Sequence, residues 1–341
     1  MDLIYVRTEQ VNEEAVVTSG FLSNFNADFD ITTDTEYVTN DFQIEKALPA
    51  DRSELLYEEG KISTIVYVEG EEYGGVIDGS IIDMSEGVIR YTGRTWRGIL
   101  AGYIVEPPAG QDYLVVSGNL ATSLRQLPMG SWIEVEDTTY TGNSFQFDRY
   151  CTTFDGATKL LKAANEALRM SIAFVSSGSG GKAQLTITPT RDMTDLIEVS
   201  QDYNDKVKLQ ITRDGKTPKC LICLGQGELH EREVIKLYAK DDWTITQTAQ
   251  ANAYPVETYD FSSSTALLDD GTKRYKELIE SHEQIEVLIE GLDVKLSDVV
   301  AAKDQLTGET VTAEITNIIW RCENYGGHQI ESFEYKTKVR Q

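Results

Sequence analysis

Basic residues are scarce in this 341-residue chain: 31 Lys and Arg stand against 56 Asp and Glu, and with 3 His the formal charge at neutral pH is −25. A surface of that sign repels phosphates, which excludes a sequence-specific reader of DNA. Cysteine is also sparse. Cys151, Cys220, Cys223 and Cys322 are too few for a disulfide scaffold and suit a protein made in a reducing cytosol. Long apolar runs are missing as well: nowhere do about 18 consecutive apolar residues occur. The opening Met1-Asp2-Leu3-Ile4-Tyr5 has no basic region leading into an apolar stretch, so a soluble chain without secretory signal or membrane span is expected.

What is present is β-rich. The length suggests two or three domains, and 40% apolar residues are enough for packed cores. Residues 1–90 hold 20 acidic and 5 basic residues, so one face of the N-terminal part is expected to be acidic. Phe25, Ala27, Phe29 and Ile31 alternate with polar neighbours at the period of a half-buried strand. The same alternation returns at Phe42/Ile44, 62–68, 75–82 and 87–92, which predicts a small antiparallel barrel or sandwich. Trp96, Ile99 and Leu100 then follow helical spacing and close that unit, and Pro107-Pro108-Ala109-Gly110 marks a domain joint.

Beyond the joint, helices are predicted over about 112–127 (Leu114, Val115, Leu120, Leu124 and Leu127 inward) and over 156–169. The second has Asp155 as N-cap and Leu160, Leu161, Ala164 and Leu168 inward. Strands around 172–175 and 183–187 flank Ser176-Ser177-Gly178-Ser179-Gly180-Gly181. From about 205 strands return, with a helix at about 264–283 and closing strands at 285–289, 311–320 and 330–335. The expected fold class is α+β and β-rich: a barrel-like domain over 1–110, an α/β middle domain over 111–204, and a second barrel-like domain over 205–341 carrying the inserted helix.

Chemistry-bearing motifs are few. Cys220-Leu221-Ile222-Cys223 offers two thiolates for a metal, with His230 nearby. Positions three apart in a strand lie on opposite faces, however, and Cys151 and Cys322 are isolated, so buried strand cysteines are expected and no metal or other cofactor. Pairings of Cys151 or Cys322 with His230, His282 or His328 fit no peptidase signature. Acid pairs such as Glu71/Glu72 and Glu134/Glu136 carry little information among 56 acids. Gly225-Gln226-Gly227-Glu228 lacks the third Gly of a dinucleotide loop and the Gly-Lys-Ser/Thr of a P-loop, and reads as a tight turn. The catalytic assignment is therefore none, and the chain reads as a non-enzyme.

Several segments stand in a telling order: Leu48-Pro49-Ala50-Asp51, then Gly74-Gly75-Val76-Ile77-Asp78, then Tyr91-Thr92-Gly93-Arg94-Thr95-Trp96-Arg97-Gly98-Ile99-Leu100 before Pro107-Pro108. Further on come Leu224-Gly225-Gln226-Gly227-Glu228 with Arg232, and 291–300 ahead of 310–320. In this order the chain resembles the siphophage Gp37-like minor tail proteins, relatives of baseplate and tail hub proteins. Within 292–300 it departs from the usual Y-D-L-G-D-x-V by Lys295 and by Ser297 in place of Gly, and Val294 and Leu296 are expected inward with Asp298 outward.

The resemblance implies a virion structural protein assembled in the host bacterial cytoplasm. It implies a homotrimer of paired β-barrels that joins a six-fold tail tube or distal ring to a three-fold tip. The implied neighbours are the distal tail or tube ring protein, a spike or fibre protein of the tip and the tape-measure protein, with DNA passing through the lumen without specific binding. The strongly acidic composition suits such a conduit, because like charge keeps the cargo from sticking. With the last strand expected close to Gln341, the peptidoglycan-cleaving domain of larger relatives is not expected here. Interface candidates are Leu48 and Arg52 in one loop, Gly93, Arg94 and Trp96 in a second turn, and Gly225, Gly227 and Glu228 in a third. Two other readings fit parts of the sequence: a phage-associated cell-wall hydrolase with acids in 145–290, and a carbohydrate-binding tail-tip module using some of the 17 Tyr and 4 Trp, whose simpler role is core packing.

Overall fold

A computed structural model describes residues 1–11, 14–35, 40–48, 56–177, 180–194, 198–199, 207–213, 216–280, 283–289, 294–303, 310–325 and 327–339. The chain divides into two compact units. The first comprises Met1–Lys208 with Leu288–Arg340, and the second is the stretch Leu209–Val287 set into it.

Unit 1 begins with a hairpin of β1 (Ile4–Val11) and β2 (Glu14–Phe21), followed by β3 (Phe25–Thr32), β4 (Asp41–Ala47), β5 (Ile62–Tyr67), β6 (Gly74–Asp83) and β7 (Val88–Thr95). The alternation in the sequence is realised: Phe25, Ala27, Phe29 and Ile31 are all buried, as are Phe42 and Ile44. The short helix α1 (Trp96–Ala101) starts where the Thr95 side chain accepts from the Gly98 N–H. Next come β8 (Val115–Asn119), α2 (Leu120–Leu124), β9 (Ile133–Val135), β10 (Thr141–Gln146), α3 (Thr153–Ala164), β11 (Leu168–Ser177), β12 (Gly180–Pro189) and β13 (Glu198–Val199).

Two helix predictions change here. The helix expected over 112–127 is a strand and one helical turn, because Gly118 takes a left-handed φ of 85° and Asn119 Oδ1 accepts from the Thr122 N–H, which starts the helix only at Leu120. The second helix is capped by Thr152 rather than Asp155, and Leu168 opens the next strand instead of ending the helix.

The chain leaves unit 1 within β14 (Val207–Arg213) and returns within β19 (Glu283–Ile289), and these two strands pair with each other. Between them, unit 2 holds β15 (Cys220–Leu224), β16 (Val234–Ala239), β17 (Ile245–Thr246), β18 (Val256–Asp260) and α4 (Leu267–Glu280). Its sheet order is β17-β16-β15-β18, and Leu267, Tyr275 and Ile279 of α4 pack with Leu221, Cys223 and Leu237. The helix therefore lies close to where its spacing predicts it.

Back in unit 1, β20 (Val299–Lys303), β21 (Thr310–Tyr325) and β22 (His328–Val339) do not close a second β unit of their own. Asn317–Cys322 of β21 pairs antiparallel with Thr32–Ala27 of β3, so the C-terminal strands extend the N-terminal sheet. The strand order is β13-β20-β21-β3-β4-β7-β6-β5-β1-β2, with β22 along the other edge of β21. The architecture is β-rich α+β, and among the described residues that path is open, with no closed barrel. The joint expected at 107–110 also lies inside one unit, since a single core runs from Tyr67 and Trp96 to Phe174 and Leu185. Rings account for this continuity: Phe174 sits 4.2 Å from Tyr67 and 5.8 Å from Trp96.

Candidate interaction surfaces

The register of unit 1 sorts each strand's residues to one of two faces. Inward, Phe29 stacks on Phe42 at 4.7 Å and meets Trp320 of β21 at 5.3 Å, with Tyr73 5.0 Å from Trp320. Outward, the rows are charged. Asp28 faces Gln43 on β4 and Arg321 on β21, and Glu45 faces Arg90 on β7. Asp41 faces Arg94, whose guanidinium reaches across to Asp78 on β6 at 2.7 and 2.9 Å. Arg321 bonds Asp28 at 2.9 Å and Glu334 at 2.8 Å, and Arg90 bonds Glu45 at 2.8 Å.

Acid prevails on this face. Two shallow hollows of about 410 and 480 Å³ lie along it, the first against Glu45, Arg321 and Glu323, the second against Asp28, Asp41 and Asp78. Burial pushes the carboxyls of Asp30 and Asp41 above the usual carboxylate range, and the charge of Asp28 pushes both further. The Asn317 amide, donating to Asp30 at 2.6 Å, opposes the rise only in part.

A different electrostatic arrangement sits under the sheet. Asp298 is fully buried and not outward as alternation suggests. Its carboxylate accepts from Arg169 at 2.6 Å, from Arg191 at 2.5 and 3.0 Å, and from the Lys295 N–H at 2.8 Å. Burial alone would raise its pKa, but these bonds and the two guanidinium charges outweigh it and hold the carboxyl below the usual range. The preceding Ser297 has a left-handed φ of 65°, at the position where the resembled motif has glycine. Nearby, Arg97 bonds Glu72 at 3.1 Å and the Met170 carbonyl at 2.8 Å. A cavity of about 360 Å³ opens beside these pairs, lined in part by Tyr73, Arg97, Arg169, Leu296, Phe333 and Tyr335.

The residues singled out from the sequence do not converge. Leu48 is half-buried at the end of β4, its N–H donating to the Gly87 carbonyl at 2.7 Å, and Arg52 lies outside the described residues. Trp96 is 1% exposed and stacks in the core, so it offers no surface for a partner. At Gly93 a Cβ would collide with the Val76 carbonyl and the Phe42 ring, which makes its glycine a packing requirement. Only Arg94 of that turn faces solvent. Gly225, Gly227 and Glu228 belong to unit 2, where the turn is held by the Gly225 N–H on the Glu233 carbonyl at 2.8 Å. Gly227 takes a φ of 95°, and Glu228 is exposed.

Cys220 and Cys223 are buried in β15, and burial pushes both thiols up, which suits packing rather than reactivity. His282 lies outside the described residues. Of the acid pairs, Glu72 is committed to Arg97 and the Ile172 N–H, while Glu134 and Glu136 are exposed. The sequence reading missed Asp298, Arg169 and Arg191, whose sole sequence signal was the acid of the 292–300 motif.

No protein-family model matches the chain, and no curated protein is similar to it in sequence. Among solved structures, it is similar to the 43 kDa tail protein of prophage MuSo2 from Shewanella oneidensis. The TM-score is 0.56 at 14% identity, with 100% of this chain and 98% of that chain covered. It is also similar to prophage tail protein gp18 from Listeria monocytogenes EGD-e, with a TM-score of 0.51, 11% identity, and 100% and 95% covered. The order of strands that joins the two ends of the chain in one sheet, with a separate unit set between them, is thus part of a fold shared over full length with these prophage tail proteins.

Proposed function

We propose that this chain is a structural, non-enzymatic subunit of a phage tail or phage-tail-like particle, placed at the baseplate or tail hub. Three copies form a ring that joins the six-fold tube or distal ring to a three-fold tip, in contact with the spike or fibre protein and the tape-measure protein. The observation that carries this reading is the end-to-end fold likeness to two prophage tail proteins, in which no part of the chain is left over. The ordered motifs from Leu48 to Trp320 that resemble the Gp37-like family support the same placement.

The charged face of unit 1 supports a conduit role. Its outward carboxylates on β3, β4 and β6 repel phosphate, and at Asp30 and Asp41 the neighbouring Asp28 charge adds to the rise that burial causes. DNA then crosses a wall that has no affinity for it.

Light scattering on the purified chain, with negative-stain images of the same sample, tests the proposal. A particle of about three times 38.1 kDa with three-fold views is expected. A single-chain mass together with clearing of cell walls in a zymogram would overturn it in favour of a hydrolase.

A further inference from the structure

The cavity of about 360 Å³ is lined by residues of unit 1 alone, and that volume falls within the range of small-molecule pockets, about 300–1,000 Å³. Part of its wall is apolar: Met170, Leu296 and Ile318 are buried, and Phe333 stands with them. Three polar groups of the wall have no partner among the described residues. Tyr73 is 8% exposed, with its ring 5.0 Å from that of Trp320 and 6.2 Å from that of Phe333, yet its hydroxyl makes no hydrogen bond. Burial pushes this phenol up first, and the charges of Tyr335, Glu71 and Glu72 push it further, so it stays neutral. The Glu71 carboxylate and the Lys295 ammonium line the same cavity, and neither has an ion pair among the described residues. The other charges there are already matched: Arg97 by Glu72, Arg169 by Asp298 and the Met1 ammonium by Glu331.

We infer that this cavity binds a small zwitterion with an apolar body, an apolar α-amino acid, its ammonium between Glu71 and the Tyr73 hydroxyl and its carboxylate on Lys295. The unmatched groups select that chemistry. A simple anion would leave Glu71 facing it unpaired, a simple cation would meet Lys295, and a wholly apolar molecule would bury the Tyr73 hydroxyl without a partner. A zwitterion gives each charge its opposite, beside apolar walls that limit screening by water. The Glu71 charge is felt at the Tyr73 hydroxyl, which places these two groups together on the ammonium side, where the hydroxyl oxygen accepts. Met170, Leu296, Ile318 and Phe333 take the apolar body, whose burial adds to the binding. The site lies within one chain and does not depend on the ring proposed above.

Equilibrium dialysis of the full chain tests it with L-phenylalanine, L-leucine and L-methionine, and with two analogues: hydrocinnamate, which lacks the ammonium, and phenethylamine, which lacks the carboxylate. At least one of the amino acids should bind, and L-phenylalanine should bind more tightly than either analogue by at least about tenfold. Glu71→Gln and Tyr73→Phe should weaken L-phenylalanine and leave hydrocinnamate unweakened, whereas Lys295→Met should weaken L-phenylalanine and leave phenethylamine unweakened. That crossed pattern separates loss of a contact from loss of the fold, since an unfolded variant loses every ligand alike. Binding of none of the three amino acids to the unsubstituted chain would overturn the inference. Equal binding of L-phenylalanine and both analogues would overturn it in favour of a cavity that takes apolar bodies whatever their charge.

Discussion

The strands β3, β4, β7 and β21 carry two faces that obey different rules. Inward, Phe29, Phe42, Tyr91 and Trp320 are at most 3% exposed, and the Phe29 ring meets those of Phe42 and Trp320. Outward, Arg94 pairs with Asp78 and Arg321 with Asp28 in ion pairs open to water, where each contributes about 0–1 kcal/mol. The same backbone therefore carries most of its stability on one side and little of it on the other. Substitutions on the two faces should separate accordingly: inward changes unfold the chain, and outward changes alter its electrostatics with the fold intact.

The largest effect is expected at Trp320, where truncation to alanine removes the ring that joins Phe29 to Tyr73 and ties the C-terminal strands to β3. A loss of about 3–5 kcal/mol in urea unfolding would match a large aromatic core deletion. If the loss is small, β21 is not held to β3 by its inner face, and the contrast fails.

Asp298 is the charge that breaks the inward rule, so it sharpens the comparison. Asp298→Asn leaves Arg169, only 10% exposed, without its anion, and should cost about 3 kcal/mol, as for a buried pair that loses one partner. The pH dependence carries the sign. The folded pKa lies below the unbound value of 3.8, so this stabilisation is present above that pH and is lost as the pH falls through the folded pKa. Acid unfolding of the variant should lack that slope below pH 3.8.

Gly93→Ala comes next. The added methyl meets the Val76 carbonyl and the Phe42 ring on the inward side, and an overpacking cost of about 1–3 kcal/mol is expected in the same urea experiment. Its neighbour Arg94→Ala, on the outward side of the same strand, should change stability by less than about 1 kcal/mol, which makes the adjacent pair a direct test of the two faces.

Periodicity makes the inward face readable in the amino-acid order alone. Every second residue from Phe25 to Ile31 is buried, and the helix near 264–283 lies close to its place. Periodicity reports which face a residue takes, however, and not which strand lies beside it. Nothing local in Thr310–Trp320 says that its neighbour is β3, some 290 positions away, so the sequence pattern predicts three consecutive domains where two interleaved units exist. The same limit explains Asp298: alternation turns it outward, because the guanidiniums that keep it inside come from β11 and from Arg191 just beyond β12. Apolar spacing over 112–127 likewise fits a strand followed by one helical turn as well as a helix, and the positive φ at Gly118 decides between them.

The smallest effect, and the one that speaks to the outward face alone, is expected at Asp41. Its carboxyl is raised by burial first and by Asp28 next, so the folded state holds the proton more tightly than the unfolded chain. Stability from this group is therefore present at acid pH and lost as the pH climbs above 3.8 through the folded pKa, the reverse of Asp298. Asp41→Asn should remove that decline and leave the protein at pH 7 equal to or more stable than the unsubstituted chain, by no more than about 0.5 kcal/mol because the carboxyl is only partly shielded from water. Thermal midpoints followed from pH 3.8 to pH 7 measure it. If Asp41→Asn leaves the pH dependence of stability unchanged, the folded protein does not hold the Asp41 carboxyl above 3.8, and this outward acid behaves as an ordinary solvated side chain.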